Sequence, residues 1–200
     1  MIKAIFLAAG QSKRLKNENK LLKKFKNKPL IHYALKSVQK SKIKEIIIVL
    51  GHQFKEIKKI IKNNKKFKFV INKNYKKGIS SSIKEGLKKI TKKDKGFIIL
   101  QSDMPFVRTS DINKIYKSLL RKKDLVHALK HKNRIGNPIG FDISTLKKFK
   151  KIKGNVGAKY MVKRLKNSTN FIKVSSSKVF KDFDRISDFG AWSSKAYPKK

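Results

Sequence analysis

An α/β fold built around a mostly parallel sheet follows from three features of the sequence. Short apolar runs rich in β-branched and aromatic residues recur along the first half of the chain, amphipathic helical patterns fill the intervals, and 39% of the residues are hydrophobic, enough for a globular core. Two hundred residues is the usual size of one domain, so a single unit over residues 1–200 is expected, without a linker or internal repeat.

The runs IKAIFLA (2–8), EIIIVL (45–50), FKFVI (67–71) and GFIILQ (96–101) have the length and composition of buried strands. Pro29 is placed to open the first helix, PLIHYALKSVQK, because a proline in the first turn gives up no needed hydrogen bond. In QFKEIKKIIKNN, Phe54, Ile57, Ile60 and Ile61 share one face, as do Ile83, Leu87 and Ile90 in SSSIKEGLKKI. Alternation on this scale means βαβ units. Beyond DMP, the pattern predicts a helix near 110–121, a strand near 124–130, a strand through GNPIGFD and a helix from about 156, then a last strand near 178–183 and a C-terminal helix.

The formal charge is +42, from 54 Lys+Arg against 12 Asp+Glu. Such a balance suits a nucleic-acid binder, but the basic residues are spread along the whole chain and only Arg14, Arg108, Arg121, Arg134, Arg164 and Arg185 carry the bidentate fork that base recognition favours. Compositional drift over solvated faces accounts for the charge equally well, so it establishes only that anionic ligands are attracted. The absence of cysteine excludes disulfides and thiolate metal sites and fits a cytoplasmic protein. The apolar stretch Ala4–Ala9 is too short for a signal core or a membrane span, so no membrane partner is expected.

In an open α/β sheet, ligands bind beyond the carboxyl ends of the strands. The first strand ends in Ala8-Ala9-Gly10, small residues that let a phosphate approach the backbone, and Arg14 and Lys20 follow within reach of a triphosphate. The loop carries neither GxxxxGK nor GxGxxG, and by spacing alone it is equally a plain surface turn. The fourth strand ends in QSDMP, where Asp103 can hold Mg²⁺ or serve as a turn or N-cap residue. In KDFDRISDF, strand alternation would send Asp182 and Asp184 to one face, while Asp188 suits a capping role. Ser80, Ser81 and Ser82 follow Gly78 at a helix start; capping accounts for one, leaving two for a base or ribose. His32, His52, His127 and His131 show no metal spacing, and no nucleophile–histidine pattern stands out.

LAAGQSKRLKNENKLL resembles the LAAGxSxRMG…K-L-L signature of nucleotidyltransferases of the molybdenum-cofactor cytidylyltransferase kind. Four further segments match that family in order: NYKKGISSSIKEGL, SDMP, GNPIGF and DFDRISDF, so that the likeness runs from residue 1 to about 190. Leu15-Lys16 and Arg185-Ile186 replace the family's Met-Gly and Thr-Pro. The resemblance implies a Rossmann-like three-layer sandwich of the nucleotide-diphospho-sugar transferase type. It implies that Ala8, Ala9, Gly10, Ser12, Arg14 and Lys20 line a triphosphate, that Ser80, Ser81 and Ser82 lie near base and ribose, and that Asp103 and Asp184 hold Mg²⁺. The implied reaction moves a nucleoside monophosphate from an NTP to a small phosphate acceptor with release of pyrophosphate. Ala9, in place of a second glycine, is similar to the cytidylyl branch, which implies CTP as donor and molybdopterin as acceptor. GTP transfer, or transfer to a sugar phosphate, are the alternatives within this class, and a basic nucleic-acid-binding protein is the alternative outside it. Gly154 and Gly157 flank a turn that either closes over an acceptor or begins a helix.

Overall fold

Burial along the first, second and fourth predicted strands results from helices covering both faces of one sheet. The computed structural model describes residues 1–15, 18–121 and 123–191. In chain order the elements are β1 (Ile2–Ala8), the two-residue strands β2 (Lys24–Phe25) and β3 (Lys28–Pro29), α1 (Ile31–Gln39), β4 (Ile46–Leu50), α2 (Phe54–Ile60), β5 (Phe67–Ile71), α3 (Ile79–Leu87), β6 (Gly96–Gln101), α4 (Thr109–Leu120), β7 (Val126–His131), β8 (Arg134–Asp142), α5 (Ala158–Arg164), β9 (Thr169–Lys173) and α6 (Ile186–Ala191). Short 3-10 segments cover Tyr75–Lys77, Ile143–Lys151, Lys166–Ser168 and Ser177–Phe180.

Seven strands form the sheet in the order β5-β4-β1-β6-β8-β7-β9. β1 pairs in parallel with β4 and β6, β4 with β5, and β7 with β9, whereas β8 runs antiparallel between β6 and β7. The period of two divides β1 between layers: Ile2, Ala4, Phe6 and Ala8 pack with residues of α1, α2 and α4, and Ile5, Leu7 and Ala9 with residues of α3 and α5. A third, smaller cluster of Leu15, Phe25, Leu30, Phe183 and Phe189 lies apart from both, with Tyr33 and Phe106 against it. Among the described residues, no helix is long and apolar enough to cross a membrane.

Two local expectations are corrected, and one strand was not foreseen. Pro29 does not open the first helix: Lys26 and Asn27 both take positive φ, 44° and 66°, making a tight hairpin turn that pairs Pro29 with Lys24, and the helix begins at Ile31. No strand forms near 178–183. The Ser176 hydroxyl accepts from the Lys178 N–H and winds Ser177–Phe180 into a 3-10 turn, so Val179, Phe180 and Phe183 are buried without strand alternation. The last strand of the sheet is β9, where intermediate burial along TNFIK gave no apolar run to read.

Candidate active site

β1 lies between β4 and β6, so the connections leaving β1 and β6 diverge and open a crevice at their carboxyl ends. Into it run the segment after Ala8 and the Gln101-Ser102-Asp103 segment, joined where the Ser102 hydroxyl donates to the Leu7 carbonyl at 2.7 Å. The crevice is a cleft of about 450 Å³ lined on one wall by Ala9, Gly10, Gln11, Ser12, Lys13, Arg14 and Lys20. Ser12 has positive φ, 54°, and its hydroxyl accepts from the Lys20 N–H at 3.0 Å, so the loop closes on itself and carries Lys20 back to the strand ends. At Gly10 a Cβ would meet nothing within 4 Å, so packing does not demand glycine there. Ala8 is buried in the sheet layer beneath this loop. Lys16 of the Leu15-Lys16 departure lies outside the described residues.

The floor of the cleft is a chain of ion pairs. Lys20 Nζ donates to Asp103 Oδ2 and to Asp184 Oδ1, both at 2.6 Å, and Arg14 donates to Asp184 Oδ2 at 2.6 Å. Burial alone would lower the Lys20 pKa, but the charges and hydrogen bonds of Asp103 and then Asp184 outweigh it and hold the ammonium above its ordinary value. Burial pushes Asp184 up, and the Lys20 hydrogen bond and charge, with Arg14, bring it below the usual aspartate range. Asp182 is exposed and shares no strand face with Asp184, because that segment is not a strand. Asp188 ties the segment down: its Oδ2 accepts from the Asp184 and Arg185 N–H groups at 2.8 and 2.9 Å, and its Oδ1 pairs with Lys181 at 2.6 Å.

The opposite wall comprises Tyr75, Lys76, Gly78, Ile79, Ser82 and Asn155. Ser82 is thus in the cleft. Ser80 is buried, with its N–H on the Gly154 carbonyl, and Ser81 donates its hydroxyl to the Gly78 and Asn74 carbonyls. Asn72 donates to both Ser81 and Ser82. Gly78, at φ +96°, is required twice, since a Cβ would also meet the Gly154 carbonyl oxygen at 2.4 Å. The 152–157 turn is therefore docked on the start of α3 and brings Asn155 to the cleft. Tyr75 and Asn155 were not singled out from the sequence; Tyr75 stands at the aromatic position of NYKKG, and Asn155 lay in the turn already noted between Gly154 and Gly157.

Residues 4–169 match the model of the MobA-like NTP transferase domain, a span holding the whole of this cleft except Asp184. The chain belongs to that family. The bifunctional protein GlmU of Aquifex aeolicus is 30% identical over 107 residues, 53% of this chain and 23% of that protein. The 2-C-methyl-D-erythritol 4-phosphate cytidylyltransferase of Lachnoclostridium phytofermentans is 30% identical over 140 residues, 67% of this chain and 58% of the relative. The chain therefore spans less than two thirds of either curated relative. Among solved structures, Rv0371c of Mycobacterium tuberculosis superposes with a TM-score of 0.84 at 17% identity, over 97% of this chain and 98% of that one. A structure of Rv0371c in complex with manganese gives 0.78 at 16% identity, over 95% and 96%.

In this MobA-like domain the donor set suits a hard divalent cation. Asp103 Oδ1 is buried and has no hydrogen-bond partner, while its other oxygen and Asp184 Oδ1 already face a positive charge at 2.6 Å. Among the described residues there is no group of three or more His, Cys, Asp or Glu able to hold a metal. Two carboxylates completed by phosphate and water oxygens are what Mg²⁺ takes, since it keeps much of its hydration and shares phosphate ligands.

Proposed function

We propose that this protein is a divalent-metal-dependent nucleotidyltransferase, one domain over residues 1–200, that uses CTP as donor and the phosphate of molybdopterin as acceptor. The observation that carries the reading is Lys20, reaching from the loop after β1 to Asp103 after β6 and to Asp184, with Arg14 on the same carboxylate. Cations and carboxylates thereby meet at the crevice where a triphosphate would lie. Ala9, at the small-residue position of the loop, favours CTP over GTP by the family likeness.

Asp103 and Asp184 would hold Mg²⁺, which supplies charge neutralisation on the phosphate oxygens. Gly10 leaves the loop backbone open to the triphosphate. Arg14 can grip a phosphate by its fork, and Lys20 acts as a point charge. Ser12 keeps Lys20 in register through its backbone. In the transfer, an acceptor phosphate oxygen bonds to the α-phosphorus as the bond to the bridging oxygen of the β-phosphate breaks, and pyrophosphate leaves with that electron pair. No protein nucleophile is needed; positioning and electrostatics carry such a reaction.

The test is equilibrium binding of CTP, GTP, ATP and UTP with Mg²⁺ to the wild type and to Asp103→Asn, followed by assay for pyrophosphate release with molybdopterin. The reading predicts preferential binding of CTP and a loss of roughly tenfold or more in the variant, as removal of one charge-bearing partner allows. Equal, salt-sensitive binding of all four nucleotides, indifferent to the mutation, would make the basic surface a general anion attractor and overturn it.

A further inference from the structure

We propose that Phe183 is a positioning residue for the Asp103–Asp184 pair, and that the small aromatic cluster around it sets the site's affinity for a divalent cation. The inference rests on the reading of those two aspartates as the metal-holding pair.

Asp103 and Asp184 are far apart in sequence, and Asp184 stands on no strand or helix. Two things fix it against Asp103. The Phe183 N–H donates to the Asp103 carbonyl at 3.0 Å, so the backbones of the two carboxylate-bearing segments are bonded directly. The Phe183 ring, fully buried, packs on Phe25 at 4.9 Å, Phe189 at 5.1 Å and Phe106 at 5.9 Å between ring centres.

Each of these partners stands beside a charged group of the site. Phe25 lies in the hairpin that follows Lys20, Phe106 three residues beyond Asp103, and Phe189 next to Asp188, whose carboxylate accepts from the Asp184 N–H. Leu15, next to Arg14, belongs to the same cluster. The cluster is thus the meeting point of the three segments that supply Arg14, Lys20, Asp103 and Asp184, and it is separate from the two layers that hold the sheet. Shrinking Phe183 loosens the carboxylate pair without touching either carboxylate.

The experiment compares Phe183→Leu with Phe149→Leu, a control that truncates an equally buried phenylalanine packed edge-to-face against Phe97 and Phe141 in the α3–α5 layer. Both are measured well below their unfolding midpoints, with Mn²⁺ as probe in the presence of a non-hydrolysable CTP analogue. A metal-free readout accompanies it: hydrogen exchange of the Lys20 ammonium, followed by ¹⁵N NMR and slowed by its two carboxylate partners. Phe183→Leu is expected to weaken Mn²⁺ binding roughly 10–100-fold, the range seen when groups supporting metal ligands are removed, and to speed the ammonium exchange. Phe149→Leu is expected to lower thermal stability while leaving both readouts within about twofold. Unchanged Mn²⁺ affinity and exchange in Phe183→Leu, or equal losses in Phe149→Leu, overturn the proposal. A wild type that binds no Mn²⁺ overturns the metal reading instead, and the ammonium exchange then decides the role of Phe183 by itself.

Discussion

Gly10 and Lys20 show how differently two residues of the proposed site bear on the fold. Gly10 is exposed, and a side chain there would enter open space above the loop. Gly10→Val is therefore expected to change folding stability by no more than about 0.5 kcal/mol, as for an ordinary surface site, and to weaken nucleotide binding at least tenfold. Thermal melts and a CTP titration on the same sample check both halves. Lys20 is mostly buried between two carboxylates, and Lys20→Met leaves them facing each other, with Arg14 still paired to Asp184. Removing one partner of a fully buried pair costs about 3–5 kcal/mol; partial exposure of Asp184 brings the expectation to about 1–3 kcal/mol by denaturant unfolding. Added Mn²⁺ is expected to raise the unfolding midpoint of Lys20→Met more than that of the wild type, because the vacated place lies between the carboxylates. The loop after Ala8 and Asp103 were legible in the sequence because each sits at the end of an apolar run, and Lys20 because it follows that loop closely. Asp184 was singled out with Asp182 by a strand alternation that does not form, and its meeting with Asp103 was legible only through family likeness, since nothing in its local pattern shows that a 3-10 turn and an aromatic cluster fold it back.

At the scale of elements, legibility followed the depth of burial. β1, β4 and β6 were evident because helices cover both their faces and nearly every position is buried, and the edge strand β5 because its apolar run FKFVI is short and rich in aromatic and β-branched residues. β9 was not, being a sheet-edge strand of mixed character. The segment 178–183 misled because Val179, Phe180 and Phe183 look like strand residues but are buried without strand pairing, Val179 and Phe180 in the layer with α1, α2 and α4 and Phe183 in the small aromatic cluster. Gly78→Ala forces a Cβ onto the Gly154 carbonyl at a positive φ, an expected cost of about 1–3 kcal/mol, and should speed hydrogen exchange at the Ser80 amide that the carbonyl now holds. His127, on β7, is buried; its Nδ1 meets the Ser118 hydroxyl at 2.7 Å and its Nε2 the Asp124 carbonyl at 3.1 Å, joining α4 to the strand. Burial lowers its pKa below 6.5, so the unfolded chain takes up the proton first. Its contribution is fully present above pH 6.5 and is lost as pH falls below that value toward the folded-state pKa. His127→Asn should flatten that limb of the stability–pH curve, measured by denaturant unfolding.

At the scale of the whole molecule, a charge of +42 on 200 residues works against compactness and in favour of anion capture. Self-repulsion weakens as the Debye length falls from about 30 Å near 0.01 M salt to about 3 Å near 1 M. The unfolding midpoint should therefore rise with sodium chloride over that range, while the association rate of a nucleotide falls. A preference for one base set by the cleft should survive the same titration, since base identity carries no net charge difference. A midpoint that declines with salt would mean that the ion pairs outweigh the lysine repulsion.

The place of Asp184 beyond β9 also has a consequence for the order in which the protein is made. The loop after β1 and the end of β6 leave the ribosome early, and the sheet has all its strands once Lys173 is released. The second carboxylate of the site, eleven residues further on, comes back across the sheet only afterwards. A nascent chain can thus possess every strand while Lys20 still has half of its counter-charge, so that assembly of the site is a late event in synthesis, separate in time from formation of the scaffold that bears it.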